Sequence, residues 1–112
     1  MASTKINYIE FKSANLDETK TFYSKAFGWD FIEYGDAYVA FTGAGIDGGF
    51  ALTNETINNG VLVVLYHPEL TSIQDKVIEC GGIITAPIFS FPGGQRFHFQ
   101  DHSGNEIAIW SE

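Results

Sequence analysis

The side chains of this sequence that could do chemistry gather near its end. In Gln95-Arg96-Phe97-His98-Phe99-Gln100, the polar Arg96, His98 and Gln100 alternate with two phenylalanines. A strand of that pattern turns its polar residues to one face and its apolar residues to the other. A turn follows, Asp101-His102-Ser103-Gly104-Asn105. In the next strand Ile107 and Ile109 mark the apolar face, leaving Glu106, Ala108 and Trp110 opposite. Near the N-terminus, residues 5–11 alternate in the same way, with Ile6, Tyr8 and Glu10 on one face. Glu10 and Glu106 are the catalytic candidates. Two carboxylates close together in an apolar cleft have their pKa values pushed apart, which separates an acid from a base. The plainer reading puts each at a strand end, reaching water. Arg96 suits a carboxylate or phosphate, or pairs with one of these glutamates. His98 with Glu10 and Glu106 is a candidate metal set of one His and two carboxylates; otherwise His98 bonds a polar neighbour or water. His67 and His102 read as surface residues. Tyr8, Tyr66 and Trp110 are aromatic residues at cleft positions, suited to a flat or apolar ligand, or to a closed core.

Two repeated halves position these residues. After the first strand, Asn15-Leu16-Asp17-Glu18 has the spacing of a capping box. Leu16, Phe22, Tyr23, Ala26 and Phe27 then share a helical face, and Gly28 stops the helix. Three strands are predicted near residues 29–34, 37–42 and 48–53, with Gly43, Gly45, Gly48 and Gly49 read as hairpin glycines. The order recurs. A strand is predicted over 60–66, Pro68 opens a helix, and Leu70, Ile73, Val77 and Cys80 form its buried face. Gly81-Gly82 ends it, and strands follow near 83–88, 95–100 and 106–110. Residues 54–60 read as the linker. A period of about 53 residues, judged from Gly28 and Gly81, marks an internal duplication. The expected fold is α+β. Two βαβββ modules, about 5–54 and 60–112 of a single domain, form curved mixed sheets around a cleft.

Composition narrows the function. A chain of 112 residues, 45% hydrophobic, forms one folded domain. The net charge of −8, with six scattered Lys and Arg, argues against nucleic acid as a partner. No apolar run approaches the roughly 20 residues of a membrane span, and the N-terminal residues lack a signal-peptide core. The single cysteine, Cys80, fits a reducing cytoplasm. No nucleophilic triad or phosphate loop can be argued from spacing.

Phe22-Tyr23-Ser24-Lys25-Ala26-Phe27-Gly28-Trp29 and Asp101-His102-Ser103-Gly104-Asn105, with the duplicated element order, resemble the vicinal oxygen chelate superfamily. That group includes glyoxalase I, bleomycin-resistance proteins and extradiol dioxygenases. The resemblance implies metal ligands at four strand positions. These fall at Tyr8, about Ala51, about Leu62 and Ala108, a set without the usual His, Gln and Glu. The expectation is therefore a metal-independent protein without cofactor, binding an apolar or aromatic small molecule. Its expected ligand-binding residues are Tyr8, Glu10, Ala51, Leu62, Val64, Tyr66, Arg96, His98, Glu106, Ala108 and Trp110. The alternatives are a lyase or isomerase acting next to a carbonyl, through cleft carboxylates or a displaced divalent metal, and a non-catalytic assembly partner with a filled cleft. A cytoplasmic homodimer is expected.

Overall fold

The computed structural model describes residues 4–112. The chain divides between Asn54 and Glu55 into two compact units. Each is a strand–helix–three-strand module with a four-stranded mixed sheet, as the duplication predicts.

The first unit runs β1 (Tyr8–Ser13), α1 (Leu16–Phe27), β2 (Asp30–Glu33), β3 (Tyr38–Thr42) and β4 (Asp47–Leu52). Its sheet order is β1-β4-β3-β2, with β1 parallel to β4 and the other pairs antiparallel. The N-terminus of α1 forms as its sequence dictates. The Asn15 side-chain oxygen accepts the Glu18 amide at 3.0 Å, satisfying one of the helix's unpaired donors. Gly28 closes the helix at φ 77°, its amide donating to the Ser24 carbonyl. The helix buries Phe22, Tyr23 and Ala26 against a sheet face built from Phe11, Val39, Phe41 and Phe50. Tyr23 stacks on Trp29 at 4.9 Å and tilts against Phe50 at 5.0 Å. Aromatic rings bury some 150–250 Å² each, so this cluster supplies much of the unit's hydrophobic stabilisation.

Gly48 and Gly49 lie inside β4 and not in the hairpin before it. Both are buried because neighbouring groups occupy the space a side chain would need. Phe41 and the Ile9 carbonyl crowd Gly48 on one face, and the Tyr38 ring covers Gly49 on the other.

The second unit runs β5 (Val63–Tyr66), α2 (Leu70–Glu79), β6 (Ile83–Phe91), β7 (Gly94–Gln100) and β8 (Glu106–Ser111). Its sheet order is β5-β8-β7-β6, with β5 parallel to β8. Leu70, Ile73 and Val77 of α2 are buried, as are Phe97, Phe99, Ile107 and Ile109 of the sheet. The helix packs against β6, β7 and β8.

The first strand runs Tyr8–Ser13 and not 5–11, and four further departures from expectation have a local reason. The strand predicted from Gly60 starts at Val63. Asn59 accepts the Glu106 amide at 3.0 Å and donates to the Gly104 carbonyl at 2.8 Å, so the ladder opens at Val63 and Ile107. Pro68 does not open the helix. His67 Nδ1 accepts the Glu69 amide at 3.0 Å, forming a local turn, and α2 starts at Leu70. Cys80 is the half-buried C-cap of α2, not a member of its buried face. Gly81 follows at φ 101°, and the Gly82 amide reaches the Val77 carbonyl in a Schellman closure. Finally, β6 continues past Ile88 to Phe91, with register shifts between Ile84 and Ala86 and between Ala86 and Phe89.

Candidate functional site

In the second unit one sheet face is taken by α2. Strand alternation puts Arg96, His98 and Gln100 of β7 on the other face, with Glu106, Ala108 and Trp110 of β8. Register then sorts them into rungs across the sheet. Tyr66, Trp110, Arg96 and Phe89 form one rung over four strands, and Val64, Ala108, His98 and Ala86 form the next. Glu106 and Gln100 share the third. Seven of the expected site residues thus lie on one face. Leu62 precedes β5 and is not part of the ladder.

The aromatic rung is continuous. Tyr66 and Trp110 meet edge-to-face at 5.1 Å, and Phe91 approaches Trp110 at 6.3 Å. Arg96 takes neither glutamate as its partner. Its guanidinium carbon lies 5.4 Å from the centre of the Phe89 ring and 5.5 Å from that of Phe91, where the negative ring faces attract the cation. The cause is the longer, bulged β6, which carries two rings past the end of the expected strand.

His98 is held by Glu106, with Nδ1 2.9 Å from Oε2. The carboxylate accepts, so Nδ1 carries a proton. The Asp101 turn fixes the separation of these two strands. Asp101 Oδ1 accepts the amides of Ser103 and Asn105, both at 2.9 Å, and Oδ2 accepts the Asn105 side chain at 3.0 Å.

Two nitrogens on this face, Arg96 Nε and His98 Nε2, are buried without a hydrogen-bond partner. Such a group costs about 1–3 kcal/mol, and folded proteins retain few. The Phe89 ring covers this region, 5.8 Å from the His98 ring and over Arg96. Ala108 beside them is also fully buried.

In the first unit, alternation and register place Tyr8, Glu10, Ala51, Tyr38 and Gly49 on the face away from α1. The Tyr8 and Tyr38 hydroxyls are hydrogen-bonded to each other. Burial pushes the Tyr38 hydroxyl well above the usual tyrosine range, and the Tyr8 hydroxyl and Glu10 carboxylate add to the shift. Glu10 lies 3.8 Å from Lys12. Each candidate carboxylate thus has a partner in its own unit, Lys12 for Glu10 and His98 for Glu106. Sequence reading missed Tyr38, although its alternation with Val39 and Phe41 was the available signal. It also missed Phe89 and Phe91, which lie beyond the predicted strand end.

A family model for the glyoxalase/bleomycin resistance protein/dioxygenase superfamily matches residues 5–109. The chain belongs to this superfamily. No curated protein matches the sequence of this superfamily member significantly. Solved structures share its fold at low identity. A glyoxalase-related enzyme from Fulvimarina pelagi superposes with a TM-score of 0.85 at 15% identity, covering 98% of this chain and 89% of that one. The fosfomycin resistance protein FosX from Listeria monocytogenes gives 0.84 at 12% identity, with 99% and 95% covered. TnmS3, an antibiotic binding protein from a Streptomyces species, gives 0.73 at 18% identity, with 99% and 98% covered.

The metal chemistry implied by the resemblance does not fit these residues. Ala51, Leu62 and Ala108 have no donor atom, and the Tyr8 hydroxyl is bonded to Tyr38. Among the described residues, no three His, Cys, Asp or Glu side chains gather where one ion could be held. Also among the described residues, no helix is long and apolar enough to cross a membrane.

Proposed function

We propose that this superfamily member binds a flat, apolar or aromatic small molecule on the helix-free face of its second sheet, without a metal. The observation that carries the reading is the rung Tyr66–Trp110–Arg96–Phe89, next to two buried nitrogens that lack partners. Aromatic walls with a few fixed polar groups suit such ligands. An antibiotic binding protein and a fosfomycin resistance protein of the same fold are consistent with this role. On this reading Glu106 orients His98, and Val64 and Ala108 form the floor.

One observation favours a different reading, an assembly partner whose face has filled in: Ala108 is fully buried. Titration separates the two. In a Trp29→Phe background, where Trp110 is the remaining tryptophan, flat two- and three-ring aromatics are expected to give a saturable fluorescence change. Trp110→Ala, followed by calorimetry, is expected to weaken binding by about 1–3 kcal/mol, the scale of a packed aromatic contact. No saturable signal from any compound would refute ligand binding. Unchanged affinity in Trp110→Ala would remove this residue from the site.

A further inference from the structure

The unpaired nitrogens say which polar groups the ligand must bring. His98 gives its Nδ1 proton to Glu106, so a neutral ring offers a lone pair at Nε2. Arg96 Nε can only donate. With a neutral ring the face therefore holds one acceptor and one donor, two residues apart on β7, both shut away from water. Two things accompany them. Arg96 and Lys76 are the only Lys or Arg in residues 55–112, and Lys76 belongs to α2. One flat ring, Phe89, lies against both side chains, with Phe91 also against Arg96, and Phe89 stands on a sheet-edge strand whose register slips just before it. Phe89 is 38% exposed, so its ring has solvent to turn into.

Resting on the ligand-binding reading above, we propose that the ligand is a hydroxyaryl acid. Its ring takes the place of Phe89, its hydroxyl donates to His98 Nε2, and its carboxylate accepts from Arg96 Nε. The hydroxyl satisfies the acceptor that Glu106 has fixed in one tautomer. The carboxylate satisfies the donor and meets the only cation on this face. An apolar ring without these groups would leave both nitrogens as unpaired as Phe89 leaves them.

The probes are hydroxynaphthoate, methoxynaphthoate, which lacks the donating hydrogen, and (hydroxymethyl)naphthol, which keeps the ring hydroxyl but lacks the acid. Binding is measured by calorimetry. Hydroxynaphthoate is expected to bind roughly tenfold more tightly than either comparison compound, the scale of one hydrogen bond to a charged or buried group. His98→Gln is expected to bring the hydroxy and methoxy compounds within about twofold of each other. Arg96→Lys keeps the charge but loses Nε, and is expected to erase most of the preference for the acid. Phe89→Ala is expected to tighten hydroxynaphthoate binding several-fold. Imidazole nitrogen NMR shifts of the ligand-free protein are expected to show His98 protonated at Nδ1 when neutral. Equal binding of the three compounds would overturn this inference and leave the proposed function standing, whereas binding of none would overturn both. A neutral His98 protonated at Nε2, or unchanged affinity in Phe89→Ala, would overturn the arrangement argued here.

Discussion

Replacing Gly48 and Gly49 by alanine, one at a time, should have very different consequences although the two are adjacent in β4. A Cβ at Gly48 would collide with the Ile9 carbonyl oxygen and come within 3.0 Å of Phe41 Cε1. Ile9 is the residue paired with Gly48 across the β1–β4 ladder, and Phe41 is its partner across the β3–β4 ladder. The Ile9 carbonyl cannot retreat without opening a ladder, and the Phe41 ring is held by the buried core around it. Overpacking of that kind costs about 1–3 kcal/mol, and a disturbed ladder bond adds about 1 kcal/mol. The reduced entropy of the unfolded alanine chain returns about 0.4–1 kcal/mol, so the net loss is about 1–4 kcal/mol, centred at about 2. A Cβ at Gly49 instead meets Tyr38, with Cζ at 2.6 Å and Cε1 at 2.7 Å. Comfortable carbon contacts lie at about 3.5–4.0 Å, so the ring must withdraw by about 1 Å. It is the far end of a side chain and can do so. The cost is its hydrogen bond to Tyr8, about 0.5–1.5 kcal/mol, largely offset by the same entropy gain. Gly49→Ala should therefore be near neutral. Urea melts read the difference, about 1 M in midpoint for a typical slope. Alkaline titration should show the Tyr38 hydroxyl moving down toward the ordinary value of 10 in Gly49→Ala. Equal midpoints for the two variants, or an unmoved Tyr38, would refute the reasoning.

Other expectations follow from the same structure. Tyr38 has a raised pKa in the folded chain, so its stabilising contribution is present below pH 10 and is lost as pH rises above it. Urea midpoints on either side of pH 10 should therefore fall more steeply in the wild type than in Tyr38→Phe. Protein purified without chelator should hold less than stoichiometric Zn, Ni, Mn or Fe by elemental analysis. One tightly held metal per chain would contradict this and direct attention to His98, Glu106 and Glu10. Each open sheet has two edge strands and exposes apolar residues, among them Ile32 at 53% and Tyr66 at 51%. Light scattering at micromolar concentration should give twice the 12.4 kDa chain mass, and a clean monomer would contradict it.

The face assignments were legible wherever a sheet is covered by a helix on one side, because burial then imposes strict alternation. That is why Phe97, Phe99, Ile107 and Ile109 separate cleanly from Arg96, His98, Glu106 and Trp110. The cap at Asn15 and the stop at Gly28 were legible because one short motif determines each. Legibility failed where a contact between residues distant in sequence decides, as between Asn59 and Gly104 or Glu106. Asn59 ends the β5–β8 ladder, and nothing in Gly60-Val61-Leu62 announces it. The bulges of β6 break the period of two, so Phe89 and Phe91 could not be assigned to a face. Arg96 reads as a partner for carboxylates for the same reason, since its two aromatic neighbours lie past the expected end of the strand. Gly48 and Gly49 resemble turn residues in sequence because close packing and turn formation both favour glycine.

The pairing of each unit's first strand with its last also bears on how the chain is made. Tyr8 opposes Asp47 and Val63 opposes Ile107, so the two parallel pairings close loops of about 40 and 45 residues, costs that differ by only about 0.1 kcal/mol. Every ladder lies wholly before Asn54 or wholly after it. A nascent chain therefore has every strand partner of its first sheet once Leu52 has emerged from the ribosome. Its hydrogen-bonded edges can close while the second half is still being synthesised, which shortens the time those β-rich segments spend open to neighbouring chains.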